Sequence, residues 1–199
     1  MTTMTKEIQQ KMTPGQALSR LLDGNRRFLE NKLSRPDLAA QLADTASGQY
    51  PFAAVLGCID SRAPSELIFD QGIGDIFNAR VAGNIVNEDI LGSLEYACHV
   101  AGSKLILVLG HTSCGAVTAA CNHVEMGNIT ALLSKISPAV EASGQGRAGV
   151  DEVAMENVRL NVRRIRRESE ILAKMEADGE IQIRGAMYDV ATGKVSLLD

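Results

Sequence analysis

Two short stretches concentrate the residue types that can do chemistry. The first is Cys58-Ile59-Asp60-Ser61-Arg62, and the second is His111-Thr112-Ser113-Cys114-Gly115. Each follows an apolar run, Phe52 to Gly57 before the first and Leu105 to Leu109 before the second. If the first run is a strand, successive side chains alternate faces, so Cys58, Asp60 and Arg62 point the same way. A thiol, a carboxylate and a guanidinium then line one wall. His111 and Cys114 are three positions apart, a spacing that lets both reach one point from a strand-to-helix turn. Two cysteines and one histidine make a three-ligand zinc set with a fourth position free for water, as in catalytic rather than closed structural sites. Asp60 is near enough to Cys58 in sequence to act as a fourth ligand or as a hydrogen-bonding partner just outside the ligands. The competing reading, buried core residues, sits poorly with both stretches ending apolar runs beside glycines.

These residues need elements to position them. Phe52 to Ile59 reads as a central strand by its unbroken apolar character, Asp75 to Val81 as a second bracketed by Gly72, Gly74 and Gly83, and Lys104 to Leu109 as a third. Between them lie a short helix at Pro64–Phe69 and a longer one from Asn87 to Val100, with Asn87 as a cap. Gly115 to Asn122 is a small-residue helix, and Ile129 to Glu141 a helical segment bent by Pro138. Gly144 to Gly149 reads as a loop and Val150 to Ala177 as one long helix. Ile181 to Tyr188 and Lys194 to Leu198 are final strands around the turn Ala191-Thr192-Gly193. Strands alternating with helices predict an α/β fold with a mostly parallel sheet of about four to five strands. In such sheets, sites form at the carboxyl ends of strands, where both chemical stretches fall.

Residues 1–12 read as a loose tail lacking the apolar core of a secretory signal. Residues 13–33 form an amphipathic helical arm: Thr13 caps it, Pro14 opens it, and Gln16 completes a capping box. The core is expected over 50–199, with no second domain. The chain has 199 residues, 45% apolar, with a net charge of -4. That balance suits one globular domain and gives no electrostatic case for nucleic-acid binding. No apolar run reaches the roughly 20 residues of a membrane helix. Four cysteines in a chain this long do not form a disulfide framework, so a reducing cytoplasm is expected. Cys98 and Cys121 read as buried small residues, and His99 and His123 as helix-buried or surface groups rather than a second metal site. The arginines from Arg159 to Arg167 alternate with glutamates, which makes a salt-bridged face.

Cys-Ile-Asp-Ser-Arg at 58–62 followed by Gly-His-Thr-Ser-Cys-Gly-Ala-Val at 110–117 resembles the β-class carbonic anhydrases. The likeness runs from about Gln49 through Ala120, and weakly to the C-terminal strand. It implies one zinc per subunit on Cys58, His111 and Cys114, and interconversion of CO2 and bicarbonate by zinc-bound hydroxide. It implies an Asp60–Arg62 dyad in which Arg62 holds Asp60 off the metal; if released, Asp60 ligates zinc and closes the site. It implies substrate contacts from Gln49, Phe77, Ala82, Tyr96 and Gly115, some of them crossing a dimer interface. Many members carry Val where this chain has Ala82. It also implies a homodimer or homotetramer, with the N-terminal helix packed across the partner. Some members have an inhibitory bicarbonate site of Trp, Arg and Tyr. Arg80 and Tyr188 match two of its positions, but Val55 stands at the Trp position, so the site is expected to be absent.

Three other readings compete. A COS or CS2 hydrolase would use the same zinc scaffold. A zinc-stabilised, non-catalytic binding protein would not need Asp60 and Arg62. A cysteine-nucleophile enzyme would activate Cys114 at a helix N-terminus, but a phosphate-binding loop would want an Arg that residues 115–120 lack.

Overall fold

The computed structural model describes residues 3–34, 36–144 and 149–198. Met1, Thr2, Arg35 and most of the loop expected at Gly144–Gly149 lie outside that range. The fold is α/β around a five-stranded sheet of order β2-β1-β3-β4-β5. The strands are β1 (Ala53–Gly57), β2 (Ile76–Arg80), β3 (Leu105–His111), β4 (Gln182–Tyr188) and β5 (Val195–Leu198). All pairings are parallel except β4 with β5.

Every residue of β1 and β3 is buried, as a sheet covered on both faces requires. The period of two divides them cleanly. Ala54, Leu56, Ile106 and Val108 join one core beneath the helix Val150–Glu168, while Ala53, Val55, Leu105 and Leu107 join the other. Edge strand β2 is only half-covered.

Ten helices among the described residues surround the sheet. The first three are α1 (Lys6–Lys11), α2 (Pro14–Leu29) and α3 (Leu38–Thr45). The loose tail expected at residues 1–12 is therefore corrected by α1. Thr5 caps it, Met4 is buried, and Gln9 Nε2 donates to the carbonyls of Pro51 and Ala101, each at 2.8 Å. Local sequence is polar there, so only these distant partners reveal the ordered helix. The capping box of α2 forms as expected, with Thr13 and Gln16 exchanging bonds.

Part of the α2 stripe is covered by its own chain. Ala17 and Leu21 are fully buried with Phe52 and Phe69 in the second core. Burying Leu21 contributes about 1.5–3 kcal/mol. Asn25 fixes the contact: its Nδ2 donates to Ile68 O and Gly193 O, and its Oδ1 accepts from Val195 N at 2.9 Å. A Cβ at Gly24 would fall 1.7 Å from Phe69 O, so only glycine admits this approach. Leu18 and Leu22 stay half-buried and Leu29 is exposed, so part of the stripe is open on the single chain.

The remaining helices are α4 (Ser65–Ile68), α5 (Glu88–Glu95), α6 (Gly115–Cys121), α7 (Gly127–Leu133), α8 (Ser137–Ala142), α9 (Val150–Glu168) and α10 (Glu170–Ala177). The segment expected as one bent helix at 129–141 is two helices, and Pro138 lies in the first turn of the second. The long helix expected at 150–177 breaks at Ser169, whose hydroxyl caps α10 through Leu172 N and also donates to Glu95. The helix expected over 87–100 begins with its Asn87 cap but widens into a π-helical turn at Tyr96–Val100.

Candidate metal centre

Parallel pairing brings the ends of β1 and β3 side by side, with Gly57 opposite Leu109. Cys58 follows the end of β1, His111 ends β3, and Cys114 caps α6. Their two sulfurs and one imidazole nitrogen lie within 4.8 Å of one another, and all three residues are buried. His111 Nδ1 lies 2.9 Å from Thr112 O, so a proton on Nδ1 is donated there and the Nε2 lone pair is free. That Nε2 is buried with no hydrogen-bond partner. An unpaired buried polar atom costs about 1–3 kcal/mol, which a cation between the three donors would remove. Two thiolates and one imidazole suit zinc, which takes N and S ligands in tetrahedral sets.

The electrostatics agree. The Cys58 thiol is lowered to about 4, chiefly by hydrogen bonding with Cys114; burial opposes the shift, and His111 and the Gly83 N–H add to it. The Cys114 thiol is pushed up by the same contact and by burial. Ionising one thiol therefore disfavours ionising the other, and a dication between the sulfurs would favour both thiolates. Burial works against a charged His111, but Cys58 and Asp60 raise its pKa overall.

Asp60 and Arg62 come together by a different route from strand alternation. β1 ends at Gly57, so residues 58–62 are not strand. Asp60 Oδ1 accepts from the Arg62 backbone N–H at 2.9 Å, forming a turn, and also accepts from Arg62 Nε at 2.9 Å. Arg62 Nη2 donates to Asp60 Oδ2 at 2.8 Å and to Ser113 O at 3.2 Å. Arg62 thereby ties the two chemical loops together. Its guanidinium holds the Asp60 carboxyl well below the usual carboxylate range, against burial. Asp60 Oδ2 stands 3.9 Å from His111 Nε2, beside the cluster while turned onto Arg62.

The other candidates divide. Ala82 neighbours Gly83, whose N–H donates to Cys58 Sγ at 3.3 Å, and Gly115 opens α6 directly after Cys114. Gln49, Phe77 and Tyr96 instead share a cavity of about 440 Å3 at the β2 edge that includes none of Cys58, His111 and Cys114. Phe77 and Tyr96 meet edge to face at 6.4 Å. Arg80 donates to the carbonyls of Cys58 and Asp60 at 2.8 and 2.6 Å, so it clamps the first loop. Val55 is fully buried in the core.

Sequence reasoning missed that clamp and also missed Asn157 and Asn161. Both are buried on α9 and bond the segment after β2. Two asparagines four apart inside the stripe Val153, Ala154, Val158, Val162 and Ile165 were the available signal.

Comparison with known proteins follows the same lines. A carbonic anhydrase family model matches residues 53–195. Carbonic anhydrase 2 of Mycobacterium tuberculosis is 36% identical over 193 residues, covering 94% of this chain and 93% of that one. The β-carbonic anhydrase CafA of Aspergillus fumigatus superposes with a TM-score of 0.73 at 26% identity, over 93% of this chain and 90% of that one. A structure described as one of two tetrameric β-carbonic anhydrases from Sordaria macrospora shares the fold at TM-score 0.73 and 22% identity, over 91% and 96%.

Proposed function

The chain belongs to the β-class carbonic anhydrase family, whose reaction is the reversible hydration of CO2 to bicarbonate and a proton, and we propose that Cys58, His111 and Cys114 hold the zinc for it. The observation that carries this assignment is His111 Nε2, buried without a partner and facing two sulfurs. Zinc, when bound, supplies a Lewis acid that lowers the pKa of water from 15.7 to about 7.

The protein's residues supply the rest. Asp60 is ionised, and its carboxylate can only accept. A water beside it donates its O–H to Asp60 and turns a lone pair outward, toward substrate. Arg62 keeps the carboxylate off the ligand triad through its paired bonds and its tether to Ser113 O, which supports the open form over one ligated by Asp60.

Gln49, Phe77 and Tyr96 serve a neighbouring subunit's centre in this reading. β2 is an edge strand beside a cavity of about 620 Å3, lined in part by Phe77 and Tyr96. An unpaired edge with half-covered aromatics suits a second copy of the chain. The tetrameric description of the Sordaria macrospora relative supports assembly to a dimer or beyond. One sheet shared by both cores supports a single domain. No helix among the described residues is long and apolar enough to cross a membrane, and free Cys58, Cys98, Cys114 and Cys121 suit a reducing cytoplasm. The sulfur-analogue reading is not favoured, since the named relatives are carbonic anhydrases.

The test is metal analysis with stopped-flow CO2 hydration. One zinc per chain and chelator-sensitive hydration are expected. Hydration without bound metal would remove the assignment, and stoichiometric zinc without hydration would favour a binding protein.

A further inference from the structure

Gly83 links a metal ligand to a helix far along the chain. Its N–H donates to Cys58 Sγ at 3.3 Å, and its carbonyl accepts from Asn157 Nδ2 at 2.8 Å. One peptide unit on each side of the same residue is therefore committed. Gly83 has φ of 68°, and a Cβ there would lie 2.6 Å from Ile136 Cδ1, so conformation and packing leave it little freedom.

Asn157 is itself held. Asn161 Nδ2 donates to Asn157 O at 2.9 Å and to Asn157 Oδ1 at 3.2 Å. Asn161 Oδ1 then accepts from Val86 N at 3.1 Å. The two asparagines grip residues 83 and 86 from one turn of α9. Asn157 is 1% exposed and Asn161 4%. Water does not compete at that depth, so the amide orientations are fixed by these partners.

We propose that Asn157, supported by Asn161, is a positioning residue for the metal centre: it fixes the Gly83 peptide so that its N–H stabilises and aims the Cys58 thiolate. The inference rests on Cys58 being a ligand. Without Asn157 the Gly83 carbonyl is left buried and unpaired, so the segment 82–86 shifts and the N–H···S contact lengthens. Partners behind metal ligands typically govern about 10–100-fold in metal affinity or activity.

The experiment measures release of zinc from the loaded protein to a chromophoric chelator, alongside the thiolate-to-metal charge-transfer band of the cobalt-substituted protein. Asn157→Leu keeps the branching and heavy-atom count of the side chain and removes the donor. Asn157→Ser is a second variant, smaller and still polar, for use should the first not fold. Ile165→Ala, buried two turns along α9, reports loss of packing alone. Faster release by about 10-fold and a shifted band in either Asn157 variant, with both unchanged in Ile165→Ala, is expected. Unchanged release and band in the Asn157 variants, or equal changes in Ile165→Ala, would overturn the proposal. Cys58→Ala separates the two levels. If it retains full zinc, the ligand assignment fails and takes this inference with it; if it loses zinc while the Asn157 variants match the parent, only this inference fails.

Discussion

Cys58, His111 and Cys114 are 5%, 1% and 1% exposed, whereas Tyr96 is 55% exposed and Phe77 only half-buried. The first group converges within one chain at the ends of β1 and β3. The second lies along the sheet edge at β2, together but apart from the ligands. A buried thiol pair and an orphaned imidazole nitrogen make a cluster that could hold a metal ion, and one chain supplies all of it. The aromatics lie at an edge that no other strand of the described residues pairs. The contrast teaches that the proposed metal centre is complete within one fold, whereas the proposed substrate contacts await a second copy of the chain.

The largest expected effects break the first group. Cys58→Ala or His111→Ala should reduce zinc to background by elemental analysis and abolish CO2 hydration. Full zinc in either variant would remove that residue from the ligand set. Asp60→Asn should keep stoichiometric zinc and lower kcat about 10–100-fold, because an amide no longer pairs with Arg62 by charge. Loss of zinc instead would make Asp60 a ligand.

Mixing tests the second group. Gln49→Ala and Cys58→Ala should each be impaired alone, and co-refolding them should restore a fraction of the parent rate, since a mixed dimer carries one intact centre. No recovery would place Gln49 outside the shared pocket.

A smaller effect belongs to neither region and calibrates both. Burial disfavours ionised Asp70, but bonds from Arg27 and Ser34 outweigh it and lower its pKa. A depressed carboxylate stabilises the fold above its unfolded pKa of about 3.9 and loses that contribution as pH falls through the folded value. Asp70→Asn keeps a side chain suited to the φ of 48° and removes the charge. It should cost about 1–3 kcal/mol at pH 7 by urea unfolding, with the gap to the parent narrowing below about pH 4. A constant gap across pH would exclude the charge as the cause.

Much of the fold was legible because it is periodic. The apolar runs at 53–57 and 105–109 are strands in both readings, and Thr13, Pro14 and Gln16 start α2 as their side-chain chemistry requires. The failures share a cause. Helix α1 is ordered through Gln9 reaching Pro51 and Ala101, and the break at Ser169 is joined to Glu95. Neither partner is near in sequence, so no local pattern announces the contact. A shared face for Asp60 and Arg62 was expected from strand alternation, but a turn beyond the strand brings the two together.

Residue type and spacing alone determined the zinc ligands proposed here, because cysteine and histidine at strand ends have few other uses together. Tertiary structure decided what surrounds them. Parallel pairing set Cys58 beside His111, Arg80 and Arg62 clamped the first loop, and α9 brought Asn157 to Gly83, 74 residues away in sequence. Hydrogen-bond partners are chosen by proximity in space, and proximity is a property of the packed chain rather than of any segment of it.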